Sequence, residues 1–262
     1  MVKEFINKIL FYFFCFYYSC HNKNKYIKTQ KTYILAHRGL TSKHLENTLE
    51  AFLAAFESGA DGIEFDVQLS KDLVPVVFHD DNLQRLSSSN KDIDNLNILD
   101  LKSVILTSSK YNNNYYIPLL SEVLLTLPKD KILNIELKET FLNKDKNAYI
   151  NLISILTDYK NKFKIVISSF NADILINFSE ISRDFELALL IDKKINILEL
   201  IKINKIIKNI KYLNPHLSLL NKFIIKFNIN FIIWGHKKIE NKTKVIIEKQ
   251  FGLISDICEK LI

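Results

Sequence analysis

From residue 33 onward, short apolar runs alternate with longer amphipathic stretches, which is the pattern of strands connected by helices. Two strands are predicted close together in the segment GADGIEFDVQLSKDLVPVVFHD, at residues 63–67 and 74–78. Their connection, residues 68–73, is polar and too short for a helix. Side chains two residues apart lie on the same face of a strand, so Glu64 and Asp66 point to one face and their apolar neighbours to the other.

The segment LEAFLAAFES has apolar residues at helical spacing, and it predicts a helix that Asn47 or Thr48 caps and Gly59 ends. The other predicted helices are residues 99–104, 118–127, 172–181, 216–227 and 239–250. The other predicted strands are residues 33–36, 132–137, 165–168, 186–191, 212–215, 230–234 and 253–255. Most of residues 81–118 is polar and irregular, as expected for a long surface loop or a small insertion.

This order of elements predicts the α/β class, because strands that alternate with helices form parallel sheets. A chain of 262 residues has a suitable length for a (β/α)8 TIM barrel. The pattern gives nine strands for a barrel that needs eight, so one of the nine is wrong or lies outside the barrel. The predicted barrel has no helix between its second and third strands.

Polar side chains that can carry chemistry lie at or near the carboxyl ends of four predicted strands. Glu64 and Asp66 are costly to bury side by side unless a cation compensates them, and a hard divalent metal ion with oxygen ligands would do so. His79 follows the third predicted strand and is suited to proton transfer beside these carboxylates. The active site of such a barrel lies at the carboxyl ends of its strands, so we expect one cluster there. Its other members are His37, Arg38, Glu136 and Lys138.

Between about residues 33 and 171 the chain contains, in order, the motifs AHRG, ENTLEAF, GADGIEFDVQLSKD, VPVVFHDDNLQR, IPLLSEVL, LNIELK and VISSFN. Together they resemble the glycerophosphodiester phosphodiesterase family, one of the phosphatidylinositol-phospholipase-C-like barrel phosphodiesterases. After residue 171 the resemblance thins to LALLID, LNPH, Trp234 and GLISD. It implies hydrolysis of glycerophosphodiesters to glycerol 3-phosphate and an alcohol, in lipid and glycerol metabolism, with one Ca²⁺ or Mg²⁺ ion.

The matching motifs also imply roles for individual residues. Glu64, Asp66 and Glu136 match the family's metal ligands. His37 and His79 match its general acid and base, and the sequence leaves open which histidine does which. The nucleophile is either water or the neighbouring glycerol hydroxyl.

Four further positions are implied to bind or support the substrate. Arg38 and Lys138 match phosphate contacts, as expected where an anionic diester gains charge in its transition state. Glu46 matches a supporting polar residue, and Trp234 stands where the family has a tryptophan facing the substrate.

The chain departs from the family pattern at several positions. Leu45 replaces the usual proline before ENT, and Leu73 replaces a glycine, so its turn must form without a glycine. Residues 235–237 and the segment around Ser255 and Asp256 also differ, which puts the alcohol specificity in question.

Residues 1–20 place two lysines before an apolar run, as a signal peptide does. We therefore predict a signal peptide or N-terminal anchor at 1–20, a polar tether at 21–31 and the phosphodiesterase barrel at 32–262. Signal cleavage, lipidation of Cys20 and an uncleaved anchor all fit. The expected location is the cell envelope or exterior, with membrane association through the N-terminus if it is retained.

The formal net charge is +7, and many lysines of the last third recur at helical intervals. This indicates solvated helix faces, or attraction to anionic lipid or phosphate. No nucleic-acid-binding motif is present, so no nucleic-acid partner is expected, and the oligomeric state is not indicated. Two alternatives stay open: a lysophospholipase D-like enzyme acting at a membrane, and a non-catalytic envelope binding protein. The second is disfavoured because all candidate histidines and carboxylates occur together.

Overall fold

The computed structural model describes residues 2–22, 31–142, 144–221, 224, 227–237 and 251–262. The predicted helix at 239–250 and most of the predicted tether at 21–31 lie outside these residues. The strands are β1 Tyr33–His37, β2 Gly62–Leu69, β3 Pro75–Val77, β4 Leu106–Ser108, β5 Tyr111–Tyr115, β6 Lys131–Leu137, β7 Phe163–Ser169, β8 Glu186–Ile191, β9 Ile210–Pro215, β10 Ile232–His236 and β11 Gly252–Ser255. The helices are α1 Val2–His21, α2 Leu49–Glu57, α3 Ile98–Lys102, α4 Leu120–Thr126, α5 Lys146–Thr157, α6 Ala172–Ile181 and α7 Ile197–Lys202.

Eight parallel strands form a nearly closed barrel in the order β10-β11-β1-β2-β6-β7-β8-β9. Parallel bridges from Leu213 to Phe231 and from His216 to Trp234 bring the two ends of this sheet together. One apolar cluster, which includes Leu35, fills the barrel, and a larger one lies between the strands and the outer helices. The predicted α/β class and (β/α)8 barrel are confirmed.

The ninth extended run is β3, which pairs antiparallel with β2 and lies outside the barrel. As predicted, no helix separates the two, and Leu73 turns the chain with a left-handed φ of +61°. A connection this short allows only an antiparallel hairpin, since a parallel crossover needs a dozen or more residues. The third barrel strand is therefore β6, and the expectation that His79 ends a barrel strand is wrong.

The segment between β3 and β6 is a packed insertion. Its own apolar cluster includes Phe78, Leu101 and Tyr115. The predicted short helix is present as α3, but β4 and β5 form a hairpin where a surface loop was expected. The predicted helix at 216–227 is wrong in its described part, which contains a 3-10 turn at Leu217–Leu219. Helix α5 was not among the predicted helices.

Helix α1 packs against the outside of the barrel. The Tyr18 hydroxyl donates to the carbonyl of Ile210 at 2.9 Å, and the Phe11 ring lies 6.5 Å from that of Phe231. At its other end, the Asn7 amide donates to the carbonyl of Lys193 at 2.9 Å. The helix therefore runs from the carboxyl-end rim of the barrel toward the amino end of β9. Within the described residues, no helix is both long and apolar enough to cross a membrane.

Close backbone approach between β2 and β6 generates a prediction at Gly62. A Cβ added there would lie 2.4 Å from the carbonyl oxygen of Ile132, so Gly62→Ala must push the two strands apart. We expect a loss of about 1–3 kcal/mol in the free energy of unfolding, measured by denaturant melts. The matched control is Gly252→Ala, whose added Cβ would lie no closer than 3.4 Å to side-chain atoms. Equal stability of the two variants would contradict the prediction.

Candidate functional site

Neighbouring strands β1, β2 and β6 bring four of the predicted site residues together. In the parallel register, His37 lies beside Glu64, and Asp66 lies beside Glu136. Glu64 and Asp66 are two residues apart, so both point into the same mouth at the carboxyl ends of the strands. The barrel thus places the cluster where the alternation of side chains predicted it.

Glu64, Asp66 and Glu136 form a buried carboxylate triad. One carboxylate oxygen from each lies within 4.8 Å of the others, and the three residues are 4%, 1% and 8% exposed. Among the residues that the structure describes, none forms a hydrogen bond with the buried Oε2 atom of Glu64. Three hard oxygen donors at this spacing, one of them unsatisfied, fit a divalent cation such as Ca²⁺ or Mg²⁺.

Two cationic side chains partly balance the charge of the triad. The Lys138 ammonium donates to Glu136 at 2.8 Å and lies 3.4 Å from Asp66. The Arg38 Nε lies 3.3 Å from Asp66 on the other side. Arg38 has a left-handed φ of +56°, which is uncommon for a side chain of its size, and its amide is fixed by the carbonyl of Glu64 at 2.8 Å.

The three carboxylates have different proton affinities because their surroundings differ. Burial, together with the neighbouring Asp66 and Glu136, raises the pKa of Glu64 to about 8. Burial would raise the pKa of Asp66 as well, but Lys138 and Arg38 hold it below its usual value. Burial and Asp66 raise the pKa of Glu136 against the opposing effect of Lys138. Glu64 is therefore the carboxylate whose charge is least compensated by protein groups.

His79 reaches the same mouth from the insertion. The buried Gln68 amide of β2 donates to the carbonyls of Phe78 and Asp80, at 3.0 and 2.7 Å, and so fixes the backbone on both sides of the histidine. The imidazole Nδ1 contacts the Asp80 carboxylate at 2.6 Å. Burial, with Lys138 and Arg38 outweighing the opposing effect of Asp66, lowers the pKa of His79.

An ion-pair network connects His79 to Arg38. Arg85 donates from Nε to Asp80 at 2.5 Å and from its two terminal nitrogens to Glu46 at 2.7 and 3.0 Å. Glu46 in turn accepts from Arg38 at 2.8 Å. Glu46 was expected to support the site, and through Arg85 it connects the Arg38 side of the site to the His79 side. The sequence analysis did not single out Arg85.

His37 is paired with Asp256, which directly follows β11. The His37 Nδ1 contacts the Asp256 carboxylate, while its Nε2 lies 3.8 Å from Glu64. Burial alone would lower the pKa of His37, but the bond to Asp256 and the charge of Glu64 raise it overall. Asp256 itself is fixed by its amide, which donates to the carbonyl of His236 at 3.2 Å. His236, one of the positions that depart from the family pattern, is itself buried and only 2% exposed.

A cavity of about 390 Å³ opens over these groups. Its walls include both candidate histidines, Glu64, Glu136, the two cations and the aromatic rings of Phe170 and Trp234. The Trp234 indole donates to the carbonyl of Asn214 at 2.9 Å, so its orientation is fixed. All nine predicted site residues therefore lie in this mouth or bond directly to its walls.

Several contributors were missed as individual residues although their motifs were recognised. Asn47 of ENTLEAF donates to Asp66 at 2.8 Å, and its left-handed φ of +58° aims its amide back at the strand. Arg85 ends VPVVFHDDNLQR, and Asp256 follows GLIS. Gln68 could not be recognised as part of the site from the sequence, because residues 68–73 were assigned to the connection after β2.

The family model described as the glycerophosphoryl diester phosphodiesterase family matches residues 37–238. A glycerophosphodiester phosphodiesterase of Caldanaerobacter subterraneus subsp. tengcongensis is 34% identical over 164 residues, 61% of this chain and 67% of that protein. A lysophospholipase D of Mus musculus is 47% identical over 68 residues, 26% of this chain and 21% of that protein. The solved structure of a Thermotoga maritima glycerophosphodiester phosphodiesterase aligns with a TM-score of 0.68 and 28% identity, over 89% of this chain and 98% of that one. The chain spans about two thirds of the length of the first curated relatives.

Arg85 is predicted to stabilise the fold by an amount that depends on pH. Burial would raise the pKa of Glu46 and of Asp80, but Arg85 helps to hold both below their usual values. A lowered carboxylate pKa stabilises the fold above the unfolded-state value, and this contribution is lost as pH falls through the folded-state value. We expect Arg85→Met to cost about 1 kcal/mol at neutral pH, since Arg85 is half exposed, and to cost much less in acid.

The measurement is a pair of denaturant melts at about pH 7 and about pH 3. Lys160→Met is the matched control, because Lys160 pairs with Asp184 at an exposed site away from the cavity. A cost for Arg85→Met that does not change with pH would contradict the electrostatic account.

Proposed function

The chain belongs to the glycerophosphoryl diester phosphodiesterase family of hydrolases, and we propose that it cleaves glycerophosphodiesters to glycerol 3-phosphate and an alcohol. The observation that carries this proposal is the cavity in which His37 and His79 lie beside the carboxylate triad and two cations. Each component matches a need of phosphodiester cleavage: an anionic substrate, charge that grows in the transition state, and two proton transfers.

We assign Glu64, Asp66 and Glu136 as the holders of one divalent ion, Ca²⁺ or Mg²⁺. The fit rests on the oxygen donor set, on the closeness of the three donors, which all lie within 4.8 Å of one another, and on the unsatisfied oxygen of Glu64. When bound, such an ion supplies Lewis-acid polarisation and charge neutralisation at the phosphoryl oxygens. It would also satisfy Glu64, which the protein's own cations compensate least.

The chain's own side chains handle substrate binding and protons. Arg38 and Lys138 present N–H donors to the non-bridging phosphoryl oxygens, and arginine can do so at two points. One imidazole accepts a proton from the nucleophile, either water or the neighbouring glycerol hydroxyl. The other donates a proton to the leaving alkoxide, which would be a poor leaving group without it. Trp234 and Phe170 offer aromatic surface to the organic part of the diester.

Asp256 and Asp80 act as positioning residues for the two histidines. Each carboxylate contacts the Nδ1 of its histidine, which favours the tautomer with a proton on that nitrogen. Nε2 is then left for the reacting groups in both cases. The two halves of the site therefore use the same arrangement, although one comes from the barrel and the other from the insertion.

The second candidate function is hydrolysis of lysophospholipids at a membrane. The short match to a mouse lysophospholipase D and the apolar outer face of α1 favour it. Export to the cell envelope, with a signal peptide or anchor at residues 1–20, remains part of the proposal on the sequence pattern alone. Because α1 packs on the barrel, activity should be measured with the full chain.

The catalytic proposal predicts the behaviour of the histidine variants. His37→Ala and His79→Ala should each reduce kcat/KM by about 10²–10⁴-fold, because each removes a proton-transfer group. The assay is release of glycerol 3-phosphate from glycerophosphocholine and glycerophosphoethanolamine. His44→Ala is the matched control, since His44 contacts Tyr115 of the insertion at 3.4 Å instead of lining the cavity.

Retained activity in both catalytic variants would exclude histidine catalysis. If the full chain cleaves lysophosphatidylcholine but neither soluble diester, the second candidate function, lysophospholipid hydrolysis, is supported instead. A folded, metal-loaded chain that cleaves none of the three would support the non-catalytic alternative.

The metal assignment predicts that a chelator abolishes activity and that Ca²⁺ or Mg²⁺ restores it. Asp66→Asn and Glu136→Gln should weaken binding of the restoring ion at least about tenfold in calorimetric titration, since each removes a charged oxygen donor. Glu139→Gln is the matched control, because Glu139 follows the same strand but bonds Asn171 outside the triad. Full activity in excess chelator, or equal weakening by all three variants, would overturn the assignment.

A further inference from the structure

We propose that the outer face of α1 docks on a bilayer that contains anionic lipid, while its inner face stays packed on the barrel. The helix has two apolar faces. Four side chains on the inner face are buried, and they are Phe11, Phe14, Cys15 and Tyr18. On the opposite face Phe5, Phe13 and Phe16 are 65%, 64% and 54% exposed. The Phe16 ring lies 6.3 Å from that of Phe227, but Phe5 and Phe13 keep most of their surface in solvent, which is unusual on a helix whose other face already packs on the core.

Helix α7 adds exposed apolar surface on the same side of the barrel. Asn7 bonds the carbonyl of Lys193 before α7, and Tyr17 bonds the side chain of Asn204 after it, so α1 is tied to both flanks of α7. Three residues of this helix are about half exposed or more, and they are Ile197, Leu198 and Ile201. The exposed apolar side chains of α1 and α7 are therefore concentrated on neighbouring elements instead of being scattered singly over the surface.

Lysines lie on α1 and next to α7 in the sequence, and their charge favours an anionic partner. They are Lys3 and Lys8 on α1, Lys193 and Lys194 before α7, and Lys205 and Lys208 after it. Aromatic and aliphatic side chains flanked by lysines are the composition of helices that lie in the plane of an anionic membrane surface. A second copy of this chain would fit poorly, because a two-fold contact would bring the lysines of both copies together.

Docking would also bring the catalytic mouth close to lipid headgroups. The carbonyl of Lys193 accepts from Asn7 near the start of α1, and Lys193 itself lines the cavity. The rim of the barrel therefore lies at the same end as the start of the docking helix. This consequence rests on the proposed phosphodiesterase function, whereas the docking surface itself does not.

The test is flotation of the full chain with vesicles, either of phosphatidylcholine alone or with about one third phosphatidylglycerol. We expect binding to the anionic vesicles that weakens as salt is raised. The triple variant Phe5→Ser, Phe13→Ser, Phe16→Ser should bind at least about tenfold more weakly. The matched control is Leu99→Ser with Leu125→Ser, which removes two leucines, 83% and 71% exposed, on other helices and should bind like the parent.

Both variants should keep the parent's hydrolysis of soluble diesters, because none of these side chains lies in the site. A thermal melt checks that the triple variant stays folded, since it loses the contact between the Phe16 and Phe227 rings. Equal binding by the parent and the triple variant would overturn the proposal. The inference takes residues 1–20 as a retained anchor and not as a removed signal peptide, so a chain isolated from its cells that begins after residue 20 would also overturn it. Self-association that the triple variant abolishes, without vesicle binding, would overturn it as well. None of these readouts uses catalysis, so failure of docking and failure of the proposed reaction are distinguishable.

Discussion

The structure depends on the compensation of three buried carboxylates at one end of the barrel. Removing such groups from water costs several kcal/mol each unless they are paired, and two cations serve three anions here. The residual charge falls on Glu64, whose pKa is raised and whose Oε2 accepts no hydrogen bond from the residues that the structure describes. The charge balance of the fold thus leaves the triad suited to hold a cation. The left-handed backbone of Arg38 and Asn47 also helps to compensate the buried charge, because it directs both side chains back to Asp66.

The site is assembled from two bodies of structure that the ion-pair network holds together. Strand register alone sets His37 against Glu64 and Asp66 against Glu136. His79 has no such register with the triad, since β3 lies outside the barrel. Its position depends on Gln68, which fixes its backbone, and on the connection from Asp80 through Arg85 to Glu46. The two histidines are therefore fixed by different physical means, one by parallel pairing and the other by side-chain hydrogen bonds.

Most of the fold was predictable because local patterns and tertiary packing agree. Residues 172–181 and 186–191 have the predicted bounds, and Thr48 caps α2 as expected. The errors occur where long-range pairing decides. Tyr111 and Tyr115 lie in a polar segment that resembles a loop, yet they pair with β4 over the insertion core. The apolar run at β3 has the composition of a barrel strand, and only its short connection to β2 makes it an antiparallel hairpin.

The sequence by itself determined the alternation of strands and helices, the family and the nine candidate site residues, because these depend on residue type and local spacing. The tertiary structure decided which side chains contact one another. Asp256 lies 219 residues from His37 in the chain, and Arg85 lies 39 residues from Glu46, so local spacing could not relate them. The same is true of α1. Its apolar run suggested a leader or an anchor, and only its packing against Ile210 and Phe231 gives it a buried face and an exposed one.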